Sequence, residues 1–574
     1  MKQNHFKWIA VILLTIHASL LAWSATTHSP NLNEPAHLVA GVSHWKFGRF
    51  ELYRVNPPLV RMVATLPVLA SVAKYEWSGF SESAGARPVF RMGRQFIKTN
   101  GEKSIWYFTI ARWACIPFSL LGGLICYLWA KEIYGQLAGL FSLTLWCFSP
   151  NILAHGQFFT PDCGATVLGI TAAYFFWRWL RQPNWKLAII AGLVLGLAEL
   201  TKMTWIILFG LWPLIWLVWQ IPQKPDNTIS WKKQTAQLAC ILLLGLYLLN
   251  LGYGFEGTFT KLNHFEFISN SLAGYENEEQ REKKKKINCF SDSFLGEIPV
   301  PLPKNYVLGI DVQKRDFEQF DRESYLRGEF RDHGWWYYYL YALAIKVPLG
   351  YWIIFALSFL LAFYQRSAGS SHWLDGLMLA VPSLTVLMLV SIQTGFNHHM
   401  RYVLLIFPFS FIWMGQSALW FAEKKKIAAV VTAFSLVWAI GSSLMIYPHS
   451  LSYFNEAIGG PMEGHNHLIN SNIDWGQDLL YLKEWIEKHP EVQPLNICYY
   501  GEYAPTHIGM NYPLPPVNEK QDPNFQPPPG WYAISVNYLK GYGWRQPKDG
   551  FIYFQNYEPI ATAGFSIYIY HIKN

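Results

Sequence analysis

A chain of 574 residues that is 52% hydrophobic and 17% aromatic, with only 15% charged residues and a positive mean hydropathy, is too apolar and too long to be one soluble domain. The net charge of +8 would suggest nucleic acid in a soluble protein. Here much of the Lys and Arg sits in short connectors between apolar runs, where it sets topology, so the composition is that of a polytopic membrane protein with no nucleic-acid partner implied.

The N-terminus places Lys2 and Lys7 ahead of an apolar core over residues 8–25, too long for a signal peptide's apolar region and followed by many more such runs. An uncleaved first helix is expected. About eleven spans follow the membrane-length criterion, over residues 8–25, 107–130, 137–153, 164–180, 187–200, 203–221, 236–255, 338–363, 374–392, 402–421 and 427–446. The segments ending at Leu153 and Leu200 are the shortest.

Charge gives an independent reading of the same count. Alternate connectors hold Lys2 and Lys7, then Lys131, then Arg178, Arg181 and Lys186, then Lys224, Lys232 and Lys233, then Arg366, then Lys424, Lys425 and Lys426; the other short connectors hold only Lys202 and Arg401. The positive-inside rule therefore puts the N-terminus in the cytoplasm and the C-terminus outside.

That orientation sends the long polar segments outward. Residues 26–106 include a half-apolar stretch at 58–73 suited to lying in the interface. Residues 256–337 contain the charged run at 278–286, read as a solvated helix or loop. The tail, 448–574, has an amphipathic helix over 478–488, with Leu479, Leu482, Trp485 and Ile486 on one face, and strand-like runs at 495–500, 531–538 and 565–572 separated by Pro and Gly clusters. The fold class is thus an all-α polytopic membrane domain, residues 1–447, with a small extracytoplasmic α/β domain at 448–574. The seven cysteines show no CxxC spacing; Cys289 and Cys498, in polar segments, are the one pair for which a disulfide is considered.

Ionisable residues at span ends converge on the outward connectors: Glu34 and His37 after the first span, His155 and Asp162 after the third, Lys202 after the fifth, and His398, His399 and Arg401 before the tenth. Each alone reads equally well as a solvated loop residue. Together, carboxylates, cations and imidazoles facing one compartment suit an anionic substrate with a hydroxyl or amine to be deprotonated. His398–His399 lacks the spacing that puts two imidazoles on one helix face, so a transition-metal site there is disfavoured. A divalent cation such as Mg or Mn, held by Glu34, Asp162 and phosphate oxygens, fits better.

The chain resembles the GT-C superfamily of membrane glycosyltransferases, nearest the branch of protein O-mannosyltransferases and the lipid A aminoarabinose transferase. The resemblance rests on Asn33-Glu34-Pro35-Ala36-His37, Gly41 and Asn56-Pro57-Pro58-Leu59; on Ser149-Pro150, His155-Gly156 and Asp162; on Gly192 leading to Thr201-Lys202; on Trp335-Trp336 through Lys346-Val347-Pro348; and on Arg401-Tyr402 with Pro408. The tail pattern Leu451-Ser452-Tyr453-Phe454-Asn455-Glu456, Gly459-Gly460-Pro461 and Ser471 to Asp478 is similar to that of a bacterial subset.

The resemblance implies a GT-C-like fold and inverting transfer of a sugar from a polyprenyl-phosphate donor to a protein, lipid or glycan acceptor at the outer face of the cytoplasmic (inner) membrane. It casts Glu34 as base or activator and Asp162 as second carboxylate, Arg401 and Lys202 on the donor phosphate, and Asn33, His37, His155, Tyr402 and Asp474 as substrate-positioning groups. One position departs: the family's Asp-Glu pair is Asn33-Glu34 here, and an amide accepts no proton. The other readings are a transporter or flippase of a lipid-linked or anionic solute, which calls for midplane charges and paired repeats, and a catalytically altered family member acting as a scaffold.

Overall fold

The computed structural model describes residues 3–83, 85–221, 230–274, 288–319, 323–367, 373–422, 425–543 and 547–573. Lys224, Lys424 and the charged run at 278–286 lie outside them. Helix α1 (Gln3–Thr27) leads through a buried turn into α2 (Glu34–Phe47), which is buried from Glu34 to His44. A helix here has clear local causes. The Asn31 side chain accepts from the Glu34 N–H at 3.1 Å, Pro35 sits in the first turn where a missing N–H costs nothing, Glu34 meets the positive end of the helix dipole, and Gly48 closes the other end at φ 61°.

The amphipathic α3 (Leu59–Leu69) and α4 (Val89–Asn100) pack with α2 against the long α5 (Ser104–Tyr134). Then come α6 (Gln136–Cys147) and α7 (Pro150–Gly156), bent 59° apart at the Ser149-Pro150 step, followed by α8 (Pro161–Arg181), α9 (Trp185–Glu199), α10 (Ile207–Gln220) and α11 (Trp231–Gly252). Among the described residues, seven helices are long and apolar enough to cross a membrane, or nine if each of two bent pairs is one span. Of the eleven expected spans, α8 and α9 fall short of that criterion. Helix α8 is buried almost throughout by its neighbours, so its hydropathy need not match that of a lipid-facing helix, and α9 has 15 residues.

The span expected at 338–363 is two helices, Tyr338–Lys346 and Leu349–Ser367, meeting at 108°. Pro348 explains the corner, because it donates no N–H and pushes the preceding Val347 into extended backbone, ψ 133°. Ahead of it the short strands β1 (Ser324–Leu326) and β2 (Glu329–Arg331) form a hairpin.

In the tail, β3 (Leu495–Cys498), β4 (Gly530–Ser535), β5 (Ala561–Ala563) and β6 (Ile567–Ile572) make a sheet in the order β3-β4-β6-β5, with β3 and β4 parallel and the other pairs antiparallel. Helix Leu479–Lys488 packs beside β5. Strand β5 is the one the sequence pattern did not mark. Cys289 is exposed while Cys498 is buried in β3, and the two are not bonded. The tail is fastened to the first connector by backbone bonds: Ser29 N–H to Gln477 O at 2.9 Å and Leu32 N–H to Trp475 O at 3.0 Å.

Candidate functional site

Glu34 opens α2 with its carboxylate 0% exposed. Arg112, from the middle of α5, meets it as a fork, Nε to Oε1 at 2.9 Å and Nη2 to Oε2 at 2.6 Å. The N–H groups of Asn31 and Phe159 also donate to it, at 2.9 and 3.4 Å. The rest of the guanidinium donates to the carbonyls of Ala25, His28 and Ser29 at 2.7 to 2.9 Å. One negative charge faces one positive charge, closed to water. The geometry is that of a clamp holding the exit of α1 against α5. Asn33 beside it is partly exposed, and its backbone N–H bonds the side chain of Asn31.

Asp162 stands in the first turn of α8, 4% exposed. Lys202 Nζ lies 2.9 Å from one oxygen and Arg401 Nε 3.5 Å from the other. Lys202 gets there because the chain is extended at that residue, between α9 and the turn Met203–Ile206. Trp205 fixes the approach. Its indole N–H donates to Ala165 O at 2.9 Å, and its ring lies where a Cβ on Gly169 would come within 1.9 Å, so only glycine admits the contact.

Arg401 belongs to the turn Met400–Ile406. It donates to Ser471 Oγ at 2.6 Å and stacks 4.3 Å from the Trp475 ring centre, while the same Ser471 hydroxyl meets His399 Nδ1 at 2.7 Å. The Tyr402 ring lies 5.1 Å from Lys202 Nζ and 5.7 Å from the Arg401 guanidinium. Two cations therefore share one carboxylate, and the cluster keeps a net positive charge beneath the tail.

His37 is buried with its ring 5.0 Å from Tyr53. Burial, reinforced by the Arg61 guanidinium and opposed by Asp162, lowers it to about 3, so it is neutral. His155 lies 6.3 Å from Trp475, and its Nδ1 has no partner among the described residues. The Asp474 carboxyl folds back onto its own turn, accepting from Gly476 N–H at 3.0 Å, and burial with Asp478 nearby pushes it well above the usual carboxylate range. The cation expected between Glu34 and Asp162 would compete with Arg112, Lys202 and Arg401, which already hold those oxygens.

An apolar cleft of about 490 Å³ opens between the helices after Pro348 and the segment following Arg401, lined by Tyr351, Trp352, Phe355, Leu379, Ile406 and Phe407. Ile406 ends the same turn that carries Arg401, five residues on, or about 10 Å at roughly 2 Å per residue. Sequence reading missed Arg112, Ser471 and Trp475. Arg112 had a signal, being a lone guanidinium within the apolar run at 107–130 that demanded a buried partner; Ser471 and Trp475 lay in the tail pattern already noted, but nothing in it said that the tail returns to Arg401.

Residues 107–251, which carry Asp162 and Lys202, match the family model described as dolichyl-phosphate-mannose-protein mannosyltransferase. The resemblance to the GT-C membrane glycosyltransferases holds. Among solved structures, ArnT from Cupriavidus metallidurans is similar at 13% identity over 99% of this chain and 98% of its own, with a TM-score of 0.46. The Pmt1-Pmt2 protein O-mannosyltransferase complex of S. cerevisiae is 17% identical over 48% of this chain and 37% of its own (TM-score 0.33), and the Archaeoglobus fulgidus oligosaccharyltransferase 13% over 77% and 56% (TM-score 0.43). No curated protein sequence matches the chain.

Proposed function

We propose that this protein transfers a sugar from a polyprenyl-phosphate carrier to an acceptor, at the membrane face that bears the tail, taken as the outer face of the cytoplasmic membrane. The observation that carries this reading is the uneven charge at Asp162: Lys202 and Arg401 against one carboxylate, near the end of an apolar cleft. A polyprenyl tail suits the cleft and a phosphate suits the surplus cation. The family matched by residues 107–251 is named for a dolichyl-phosphate-linked sugar, which supports a donor of that class.

In this mechanism the donor phosphate draws Lys202 and Arg401 away from Asp162, freeing a carboxylate oxygen. The acceptor hydroxyl gives its proton to Asp162 and attacks the anomeric carbon from the face opposite the phosphate. The bond from that carbon to the phosphate oxygen breaks, its electron pair leaves with the phosphate, and the two cations stabilise the charge that develops there. Asn33 cannot take the proton and Glu34 is held by Arg112, so the base is Asp162. Tyr402 and the neutral His37 and His155 shape the surrounding wall.

The test is whether the purified protein in liposomes releases polyprenyl phosphate from lipid-linked sugars with inversion at the anomeric carbon. Release is expected. Passage of intact donor across the bilayer without release would replace this reading with the transport one.

A further inference from the structure

His28, His449 and Asp478 come from the exit of α1, the connector after helix Lys426–Ile446 and the start of the tail helix. Their ligating atoms all lie within 4.8 Å of one another. His28 Nδ1 is 3.0 Å from the Ser24 carbonyl, which accepts a hydrogen bond from it, so the neutral ring carries its proton on Nδ1 and leaves Nε2 as a bare lone pair. That Nε2, on a residue 1% exposed, has no hydrogen-bond partner among the described residues and lies 3.7 Å from Asp478 Oδ1. Two electron-rich atoms face each other across a gap that a cation would fill. Asp478 is 0% exposed and is oriented by donors to its other oxygen, Gln477 Nε2 at 2.8 Å and Ser566 Oγ at 2.7 Å. His449 Nδ1 lies 3.1 Å from the same Oδ1.

We propose that His28 Nε2, His449 Nδ1 and Asp478 Oδ1 bind one zinc ion that joins the first membrane helix to the tail. Zinc held at about 2.0–2.2 Å by nitrogen and oxygen in a tetrahedron sets its ligands about 3.4 Å apart, a value the 3.1 and 3.7 Å separations bracket. Two imidazoles and one carboxylate suit zinc and do not suit magnesium or calcium. The outer contacts are those a metal site needs: a carbonyl fixes the His28 tautomer and two donors fix the carboxylate. Arg112, which donates to the His28 carbonyl, is the nearest fixed cation and is neutralised by Glu34. The His449 side chain, 16% exposed, gives the ion an entry path and a water for the fourth position.

The test uses the full chain in detergent, stripped with chelator and dialysed against zinc, with metal measured by mass spectrometry and by absorption at the zinc edge. One zinc per chain, bound by two imidazoles and oxygen, is expected, and cobalt in its place should give the strong visible bands of a four-coordinate ion. His28→Gln, His449→Gln and, more mildly, Ser566→Ala should each weaken zinc at least tenfold. No zinc at equimolar metal, sulfur in its coordination shell, or unchanged affinity in these variants would overturn the proposal. The edge spectrum of the unaltered chain decides it even where a variant fails to fold.

Discussion

Two buried ion clusters lie on the same side of this helix bundle, and they are built on opposite principles. At Glu34 one carboxylate meets one guanidinium, and the remaining donors of Arg112 end on three backbone carbonyls. At Asp162 two cations divide one carboxylate, and one of them, Arg401, is held by a serine hydroxyl and an indole face. A balanced, saturated pair has nothing left to offer a ligand. An unbalanced one already has the charge an anion needs. The difference distinguishes a saturated carboxylate from an unevenly paired one within a set that sequence position alone treats as equivalent.

Substitutions can break this contrast. Asp162→Asn and Arg401→Ala should each lower the release of polyprenyl phosphate by about 10²–10³-fold, as measured by turnover. Glu34→Gln should act on stability and spare turnover. It strands Arg112, only 1% exposed, without a counter-charge, so unfolding should become easier by about 3–5 kcal/mol, read from denaturant titration. If Glu34→Gln stays as stable as the parent and loses turnover instead, the roles of the two carboxylates are exchanged.

Gly169→Ala sharpens the comparison without touching a charge. The added methyl displaces Trp205 and with it Lys202, so turnover should fall by about 100-fold while the Glu34 clamp and its contribution to stability persist. The smallest effect is expected in the tail. Burial, with Lys540 adding, lowers His465 from the ordinary 6.5 to about 4. The unfolded chain therefore binds the proton first, and the associated stability is whole above pH 6.5 and is lost as pH falls toward about 4. Melting curves at pH 7, 5.5 and 4.5 should show that decline, and His465→Gln should flatten it.

Much of the helical frame was legible in the sequence, because apolar runs of membrane length announce themselves. The corner at Pro348 was not inferred, although Lys346-Val347-Pro348 contains its cause. The gathering of Asp162, Lys202 and Arg401 could be anticipated only as residues sharing one surface; that Lys202 reaches Asp162 depends on Trp205 packing against Gly169, a tertiary fact with no local signal. The burial of Glu34 was not legible, for a physical reason. A carboxylate after a helix-length apolar run looks like a loop residue at the water boundary, and what buries it is an arginine 78 positions away. His28, His449 and Asp478 were invisible to spacing rules, since no motif joins residues that far apart.

The return of the tail has a consequence for how the molecule is made. Ser471 holds Arg401, the Asn472 carbonyl accepts from Lys346 at 2.6 Å, and Trp475 bonds Leu32. All three follow, in the chain, the last membrane-length helix among the described residues, Lys426–Ile446. A nascent chain halted before residue 471 has its helices but leaves Arg401 without Ser471 and the first connector without its backbone partner. In a chain truncated there, the cluster proposed to take the donor phosphate lacks the hydroxyl that orients its arginine.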